Sequence, residues 1–123
     1  TSNGMKTVLI IDDEPYFSKT IEETLDSKKY KVIAAKSGEE GIKMVEQFVP
    51  DVVLLDINMP GMNGLEVLKK LNAKKNKIPV IITSNLSSRQ TISEGVALGV
   101  RGYIIKSDES SQTIADTIEN LFK

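Results

Sequence analysis

The sequence contains no cysteine and no histidine among its 123 residues. Without cysteine the chain cannot form disulfides, thiolate nucleophiles or cysteine-based zinc sites, and this composition suits a reducing cytoplasm, where we expect the protein to work. Without histidine it has no imidazole general base, no histidine-containing catalytic triad and no imidazole metal ligand. Any bound metal must therefore be held by oxygen atoms, which leaves Mg²⁺, Mn²⁺ and Ca²⁺ as candidates.

Long apolar runs and an excess of one charge are also missing. No stretch approaches the roughly 20 apolar residues of a membrane-spanning helix, and none has the pattern of a secretory signal, so we expect no membrane partner. The 16 basic and 17 acidic residues leave a net charge of −1. Only Arg89 and Arg101 could make forked contacts with phosphate, and we expect no direct nucleic-acid binding by this domain.

The chain does contain five short apolar runs, each followed by a segment with helical periodicity. The predicted strands cover residues 6–11, 31–35, 51–56, 79–84 and 101–106. Unbroken apolar runs indicate strands covered on both faces, and the order βαβαβαβαβα predicts one doubly wound α/β domain, because parallel crossovers are right-handed. We place this domain at 5–123 and interpret residues 1–4, ahead of Met5, as an added segment outside the fold.

Local signals predict where the helices begin and which faces they bury. The predicted N-caps are Ser37 with Glu40 in a capping box, Asn63, and Ser107 or Asp108. The third helix has the apolar stripe Leu65, Leu68 and Leu71 and ends in lysines that we interpret as solvated surface. The fourth helix has weaker periodicity, through Ile92, Val96 and Leu98, and ends at Gly99.

Polar side chains fall at the carboxyl ends of four of the predicted strands. Asp12 and Asp13 follow the first strand, Asp56 ends the third, Ser84 ends the fourth and Lys106 ends the fifth. In a doubly wound parallel sheet these ends share one edge, where such sheets hold their ligands. Taken singly, each residue is as well explained by a turn, a cap or a solvent-exposed lysine. Their joint placement favours a site.

The chemistry of this set indicates phosphoryl transfer to a carboxylate. Three neighbouring carboxylates repel each other and raise one another's pKa, which a divalent cation would relieve. A carboxylate facing a metal-bound phosphate donor can attack phosphorus and form an acyl phosphate. Such transfer depends on positioning and charge neutralisation, for which Mg²⁺ and one ammonium suffice. Asp56 is the candidate nucleophile, Lys106 supplies the ammonium, and the Ser84 hydroxyl can reach the new phosphoryl group.

At these residues the chain resembles the receiver domain of two-component response regulators, over essentially all of 6–122. The motifs that carry the resemblance are IDDEP at 11–15, LDINMPGMNG at 55–64, PVIITS at 79–84 and GYIIK at 102–106. The resemblance implies a flavodoxin-like, three-layer (βα)5 fold, like that of CheY, whose five-stranded parallel sheet has the order 2-1-3-4-5.

The resemblance also implies the roles of the acidic residues and the lysine. It makes Asp56 the phosphoacceptor and Lys106 the contact to the phosphoryl group. It has Asp13 bind Mg²⁺ (or Mn²⁺) directly and Asp12 largely through water, with Asp56 and the backbone carbonyl of Asn58 as further ligands. Within the family such a domain catalyses only its own phosphorylation and dephosphorylation, so we expect no other enzymatic activity.

The implied switch consists of a hydroxyl and an aromatic residue. We choose Ser84 over Thr83 for the hydroxyl, because its spacing from Pro79 and from Lys106 matches the family pattern. Tyr103 matches the switch aromatic, although a half-buried strand aromatic needs no such role. The implied partners are a sensor histidine kinase or histidine phosphotransfer protein, and a downstream effector or output domain reached through the surface of helix four, strand five and helix five. A phosphorylation-dependent homodimer is a further implied partner.

Two residues depart from the family pattern. The lysine is usually followed by proline, often in a cis peptide bond, whereas Ser107 stands here, which leaves the geometry of that loop open. The residue after the hydroxyl is usually alanine or glycine, whereas Asn85 stands here. Because a larger side chain beside the pocket would hinder the hydrolytic water, we predict slow self-dephosphorylation.

Two other functions fit parts of the sequence. A haloacid-dehalogenase-type phosphatase also uses an aspartate nucleophile, but it needs a second acid two residues further on, where this chain has Asn58. A receiver-like interaction module that is never phosphorylated would need none of the pocket residues, yet all of them are present. Neither alternative is favoured by the sequence.

Overall fold

The computed structural model describes residues 4–61, 63–73, 77–85 and 89–123, the last range without its first four side chains. Five strands and five helices alternate along the described chain. They are β1 (Lys6–Ile11), α1 (Pro15–Thr24), β2 (Tyr30–Ala35), α2 (Gly38–Phe48), β3 (Val52–Asp56), α3 (Gly64–Ala73), β4 (Val80–Ser84), α4 (Arg89–Ala97), β5 (Gly102–Ile105) and α5 (Ser111–Asn120).

All five strands form one parallel sheet in the order β2-β1-β3-β4-β5, which confirms the predicted fold class. β1, β3 and β4 are interior strands, and their mostly apolar side chains are buried on both faces: the last four residues of β1 and all of β3 and β4 are buried. This explains why these strands lack the polar alternation of a half-exposed strand.

The alternation of side chains divides the core into two layers. Val8, Ile10, Leu54 and Ile104 face one side of the sheet and pack against α1 and α5, a layer that we call the α1/α5 core. The neighbours of these residues on β1 and β3 face the other side and pack against α2 and α3; they are Leu9, Ile11, Val53 and Leu55. α4 lies on that second side as well, because an added Cβ at its Gly95 would meet the Ile82 side chain. The sheet is thus covered on both faces, with its carboxyl edge left for a site.

Two of the predicted helix caps are present. The Ser37 hydroxyl accepts a hydrogen bond from the Glu40 N–H at 3.1 Å, while the Glu40 carboxylate accepts from the Lys36 N–H and not, as the capping box predicted, from that of Ser37. The Asn63 side chain accepts one from the Glu66 N–H at 3.0 Å. The predicted cap of α5 at Ser107 or Asp108 is wrong: those residues form a turn, and the helix is capped by Ser110, whose hydroxyl accepts from the Thr113 N–H at 3.1 Å.

Two of the predicted apolar stripes also need correction. In α3 the buried residues are Gly64, Val67, Leu68 and Leu71, while Leu65 is only partly buried. In α4 the prediction is wrong for Val96, which is 57% exposed, whereas Leu98, just after the helix, is partly buried and packs against the core. Gly99 follows α4 with a φ of +90°, as expected for a residue that ends a helix.

Some sequence predictions concern residues outside the described ranges. They are residues 1–3 of the segment interpreted as added, the lysines at 74 and 75, and the side chains of Arg89 and Ile92. Among the helices that the structure describes, none has the length and apolar character needed to cross a bilayer.

Candidate functional site

The three aspartates predicted to form the site lie together at the carboxyl edge of the sheet. Asp12 follows β1, which pairs with β3, and Asp56 is the last residue of β3. Each of Asp12, Asp13 and Asp56 offers a carboxylate oxygen that lies within 4.8 Å of the other two. Asp12 and Asp56 are buried, whereas Asp13 is exposed. Hard oxygen donors of this kind suit Mg²⁺ or Mn²⁺, so the residues present fit the predicted metal.

Lys106 follows the edge strand β5 and extends across the ends of β4 and β3 into this acidic cluster. Its Nζ lies 2.5 Å from Asp12 Oδ2, 3.1 Å from Glu14 Oε1 and 3.6 Å from Asp56 Oδ2. The Phe17 ring lies below the same ammonium, with its centroid 4.5 Å away. Four interactions therefore hold a lysine side chain that is only 8% exposed.

The electrostatics of Lys106 follow from these contacts. Burial by itself lowers the pKa of an ammonium, but the hydrogen bond and charge of Asp12, followed by Asp56 and Glu14, outweigh burial and raise the pKa of Lys106. The same ammonium lowers the pKa of Glu14, chiefly through its hydrogen bond. Lys106 is therefore charged at neutral pH and neutralises part of the acidic cluster.

Whereas Lys106 is held in its charged form, the surroundings of Asp56 favour its uncharged form. Its pKa is raised, first because burial disfavours the carboxylate and further because Asp12 and Asp13 repel it. The backbone N–H of Asn58, which donates to Asp56 Oδ1 at 2.8 Å, and the Lys106 charge offset only part of this effect. A buried carboxylate that is short of positive charge is a suitable ligand for a cation and a suitable nucleophile towards a phosphoryl donor.

Ser84 lies at the same edge, but its hydroxyl is turned to the loop after β3. Ser84 Oγ donates a hydrogen bond to Asn58 Oδ1 at 2.8 Å. Asn58 Oδ1 also accepts from the backbone N–H of Asn85, with 3.4 Å between the nitrogen and the oxygen. The loop is held close because Gly64, at the start of α3, approaches the backbone of β3: a Cβ there would lie 2.5 Å from the Asp56 carbonyl oxygen. Asn58 thus links the loop of the acid cluster to the end of β4.

Tyr103 is the predicted site residue that the structure does not bring to the acid cluster. It pairs in register with Ile82, and its side chain is 51% exposed. It therefore lies at the surface on the α4 side of the sheet. Ser107 stands where the family usually has a proline after the lysine. The peptide bond from Lys106 to Ser107 is trans, since the described residues include no cis peptide.

Sequence reasoning missed three contributors to the site. Neither Glu14 nor Phe17 was predicted to be a site residue, yet both hold Lys106. Asn58 was given a role only through its backbone carbonyl, whereas its side chain binds Ser84. The position of Asn58 two residues after Asp56 was the one available signal. No sequence signal indicated the contact between Glu14 and Lys106, which lies 92 positions away.

A cavity of about 240 Å³ opens beside Lys106, between α1 and the start of α5. Glu14, Phe17, Asn85 and Glu109 are among its lining residues. Asn85 also helps to lower the pKa of Glu14 by a side-chain hydrogen bond. The residue that departs from the family pattern therefore turns towards the groups that hold Lys106.

The fold and the site together define a class: a flavodoxin-like domain with an acidic cluster and a lysine at the carboxyl edge of its sheet. The sequence model of the response regulator receiver domain matches residues 8–119. The chain therefore belongs to the receiver domain family of two-component response regulators, as the sequence motifs predicted.

Known relatives agree with this assignment. The chain is 32% identical over 117 residues to the transcriptional regulatory protein YdfI of Bacillus subtilis, covering 94% of this chain and 54% of that protein. It is 34% identical over 108 residues to the cell cycle response regulator CtrA of Brucella ovis, covering 88% of this chain and 47% of that protein. The chain thus spans about half the length of these curated relatives. Among solved structures, the chemotaxis protein CheY4 of Vibrio cholerae superposes with a TM-score of 0.85 at 27% identity, covering 94% of this chain and 98% of that one.

Proposed function

We propose that this receiver domain is a signalling switch activated by phosphorylation of Asp56. The observation that carries the proposal is the approach of three carboxylates to within 4.8 Å of each other, with the Lys106 ammonium among them. A purely structural ion pair would need one acid for one lysine. An excess of acids around one buried carboxylate is instead the arrangement that divalent-cation-dependent phosphoryl transfer requires.

The proposed donor is the phosphohistidine of a sensor histidine kinase or of a histidine phosphotransfer protein. A carboxylate oxygen of Asp56 forms a bond to phosphorus while the bond from phosphorus to the donor's nitrogen breaks. The N–H of Asn58 fixes Asp56 Oδ1, so the orientation of the nucleophile is set before the donor arrives. Lys106 lies 3.6 Å from Asp56 Oδ2, close enough to stabilise negative charge on the transferred group.

A divalent cation, Mg²⁺ or Mn²⁺, would be held by Asp12, Asp13 and Asp56 with the backbone carbonyl of Asn58, and would neutralise the oxygens of the transferring group. Lys106, which pairs with Asp12, would supply part of the same neutralisation from the chain itself. Since Asn58 stands where a phosphatase would need an acid to protonate its leaving group, we propose no activity beyond self-phosphorylation and self-dephosphorylation.

The proposed response begins with the Ser84 hydroxyl. It is bonded to Asn58 Oδ1, so it must exchange that partner to reach a phosphoryl group on Asp56. Because β4 and β5 are paired, a shift of Ser84 changes the surface formed by α4, β5 and α5, where Val96 and Tyr103 are exposed. We propose this surface as the contact to an effector, an output domain or a second copy. YdfI is described as a transcriptional regulatory protein, and an output role of that kind stays a proposal for this chain.

The test is phosphorylation by a small-molecule donor. The protein is incubated with Mg²⁺ and acetyl phosphate or phosphoramidate, and its intact mass is measured. We expect the mass of one added phosphoryl group in the wild type and none in Asp56→Asn. Asp116→Asn, which changes an exposed carboxylate on α5, is the matched control and should react as the wild type does. No addition to the wild type would favour an unphosphorylated interaction module, and equal addition to Asp56→Asn would place the chemistry elsewhere.

A further inference from the structure

Thr83, the residue before Ser84, buries a hydroxyl that has no hydrogen-bond partner in the described part of the chain. The side chain belongs to the interior strand β4, and the residue is 1% exposed. Buried hydroxyls are nearly always paired in native proteins, because an unpaired one keeps the full cost of leaving water. A chain that needed only an apolar strand here could carry valine, which has the same shape. The unpaired hydroxyl therefore needs an explanation.

The register of the sheet places Thr83 beside the proposed phosphoacceptor. Thr83 is the partner of Asp56 on β3 and of Ile104 on β5. Residues in register across parallel strands face the same side, and Ile104 lies in the α1/α5 core, so Thr83 and Asp56 face that side too. Ser84 faces the opposite side. The switch hydroxyl of Ser84 and the hydroxyl of Thr83 thus approach the end of β3 from different faces.

Lys106 supplies a hydrogen-bond donor at this edge of the sheet. It follows β5, yet its Nζ reaches Asp12, which follows β1 on the far side of both β4 and β3. Neighbouring strands lie about 4.8 Å apart. The Nζ already lies 3.6 Å from Asp56 Oδ2, so an ammonium that gives up Asp12 for a phosphoryl group on Asp56 shifts by less than one strand spacing, towards β4. That movement takes it towards the side of the sheet edge where the Thr83 hydroxyl lies.

We propose that Thr83 is a positioning residue for Lys106, its hydroxyl accepting an ammonium N–H only when Lys106 binds the phosphoryl group. The inference rests on the proposed phosphorylation of Asp56 and adds that Thr83 favours the phosphorylated state over the resting state. An unpaired hydroxyl destabilises the resting state and a paired one stabilises the phosphorylated state, so the same atom shifts the equilibrium towards phosphorylation from both ends.

Two substitutions separate the hydroxyl from the shape of the side chain. Thr83→Val keeps the shape and removes the hydroxyl, and Thr83→Ser keeps the hydroxyl and removes a methyl group. Beryllofluoride with Mg²⁺ serves as the phosphoryl analogue, and thermal unfolding is followed with and without it. Without the analogue, we expect Thr83→Val to melt at a higher temperature than the wild type and Thr83→Ser at a lower one. With it, we expect Thr83→Val to bind the analogue about tenfold more weakly, because a hydrogen bond to a charged group is lost, and Thr83→Ser to bind as the wild type does.

A double-mutant cycle shows whether Thr83 acts through Lys106. In the Lys106→Met background, Thr83→Val should no longer weaken binding of the analogue, because the partner of the hydroxyl is gone. Undiminished weakening in that background would overturn the role of Lys106. Wild-type affinity in Thr83→Val, or a lower melting temperature without the analogue, would overturn the inference while leaving phosphorylation of Asp56 intact. Failure of the wild type to bind the analogue or to gain a phosphoryl mass would instead overturn the proposed function and this inference with it.

Discussion

Replacing Lys106 by methionine tests how strongly the acidic cluster depends on its ammonium. Methionine keeps an unbranched apolar side chain but removes the charge that lies 2.5 Å from Asp12 and 3.1 Å from Glu14. The Lys106 and Asp12 side chains are 8% and 1% exposed, so the charge left on Asp12 has little access to water. Removing one partner of a buried ion pair typically costs about 3–5 kcal/mol.

We expect Lys106→Met to lose about 3 kcal/mol of unfolding free energy, the lower end of that range, because Glu14 is largely exposed and needs no partner. For a domain of this size each kcal/mol lowers the melting temperature by roughly 4 °C, so the expected decrease is about 12 °C. The assay is thermal and urea unfolding with a chelator present, at about pH 8.

The matched control is Lys29→Met. Lys29 also pairs with an acid, Glu119, but at 3.9 Å and with side chains that are 63% and 43% exposed. Such a surface pair contributes about 0–1 kcal/mol, so this variant should melt close to the wild type. Added Mg²⁺ should stabilise Lys106→Met more than the wild type, since the acids then have no ammonium. If Lys106→Met and Lys29→Met lost equal stability, the reasoning about the buried cluster would be refuted.

Three further predictions follow from the same geometry. Because burial raises the pKa of Asp56, the folded state holds a proton there more tightly than the unfolded chain; wild-type stability should therefore fall relative to Asp56→Asn as pH rises from below about 4 through the raised pKa. Metal-free melting curves across this range measure the effect, and a gap that does not change with pH would contradict it. Gly64→Ala should cost about 3 kcal/mol in urea unfolding, because its Cβ would meet backbone atoms of Asp56 and Ile57 at 2.5 Å. Gly61→Ala, whose Cβ meets nothing within 4 Å but whose φ is +76°, should cost only about 1 kcal/mol, and equal costs would count against the close approach. Asn85→Ala should lose its acyl phosphate faster than the wild type, as followed by mass against time, because Asn85 lines the cavity beside Lys106 and a smaller side chain there admits water more easily; an unchanged or slower rate would contradict this prediction.

The fold could be predicted because its signals are local. β1, β3 and β4 are apolar over nearly their whole length, since each lies inside the sheet, and an apolar run predicts such a strand whatever it pairs with. The caps at Ser37 and Asn63 depend on a residue three positions away, which the sequence also shows. The cap of α5 was misplaced because Ser107, Asp108 and Ser110 are all suitable caps, and the turn after β5 decides between them.

The site was predicted as a set of residues, while its contacts were not. Strand ends of a parallel sheet meet at one edge, so the meeting of Asp12, Asp13, Asp56 and Lys106 follows from the topology. The topology does not show which of these acids pairs with Lys106, because the pairing depends on how far a flexible side chain extends across two strands. α4 was misjudged for a related reason: Val96 has the right spacing for a buried face, but the helix packs through Gly95.

The central claim is that these acids and one lysine form a single site in which Asp56 accepts phosphorus, and the most direct measurement is the position of the modification. After reaction with acetyl phosphate and Mg²⁺, borohydride reduces an aspartyl phosphate to homoserine, which peptide mass spectrometry can locate. We predict homoserine at Asp56, and none when Mg²⁺ is removed by a chelator. Homoserine at Asp12 or Asp13, or an equal yield with and without Mg²⁺, would contradict the proposed site.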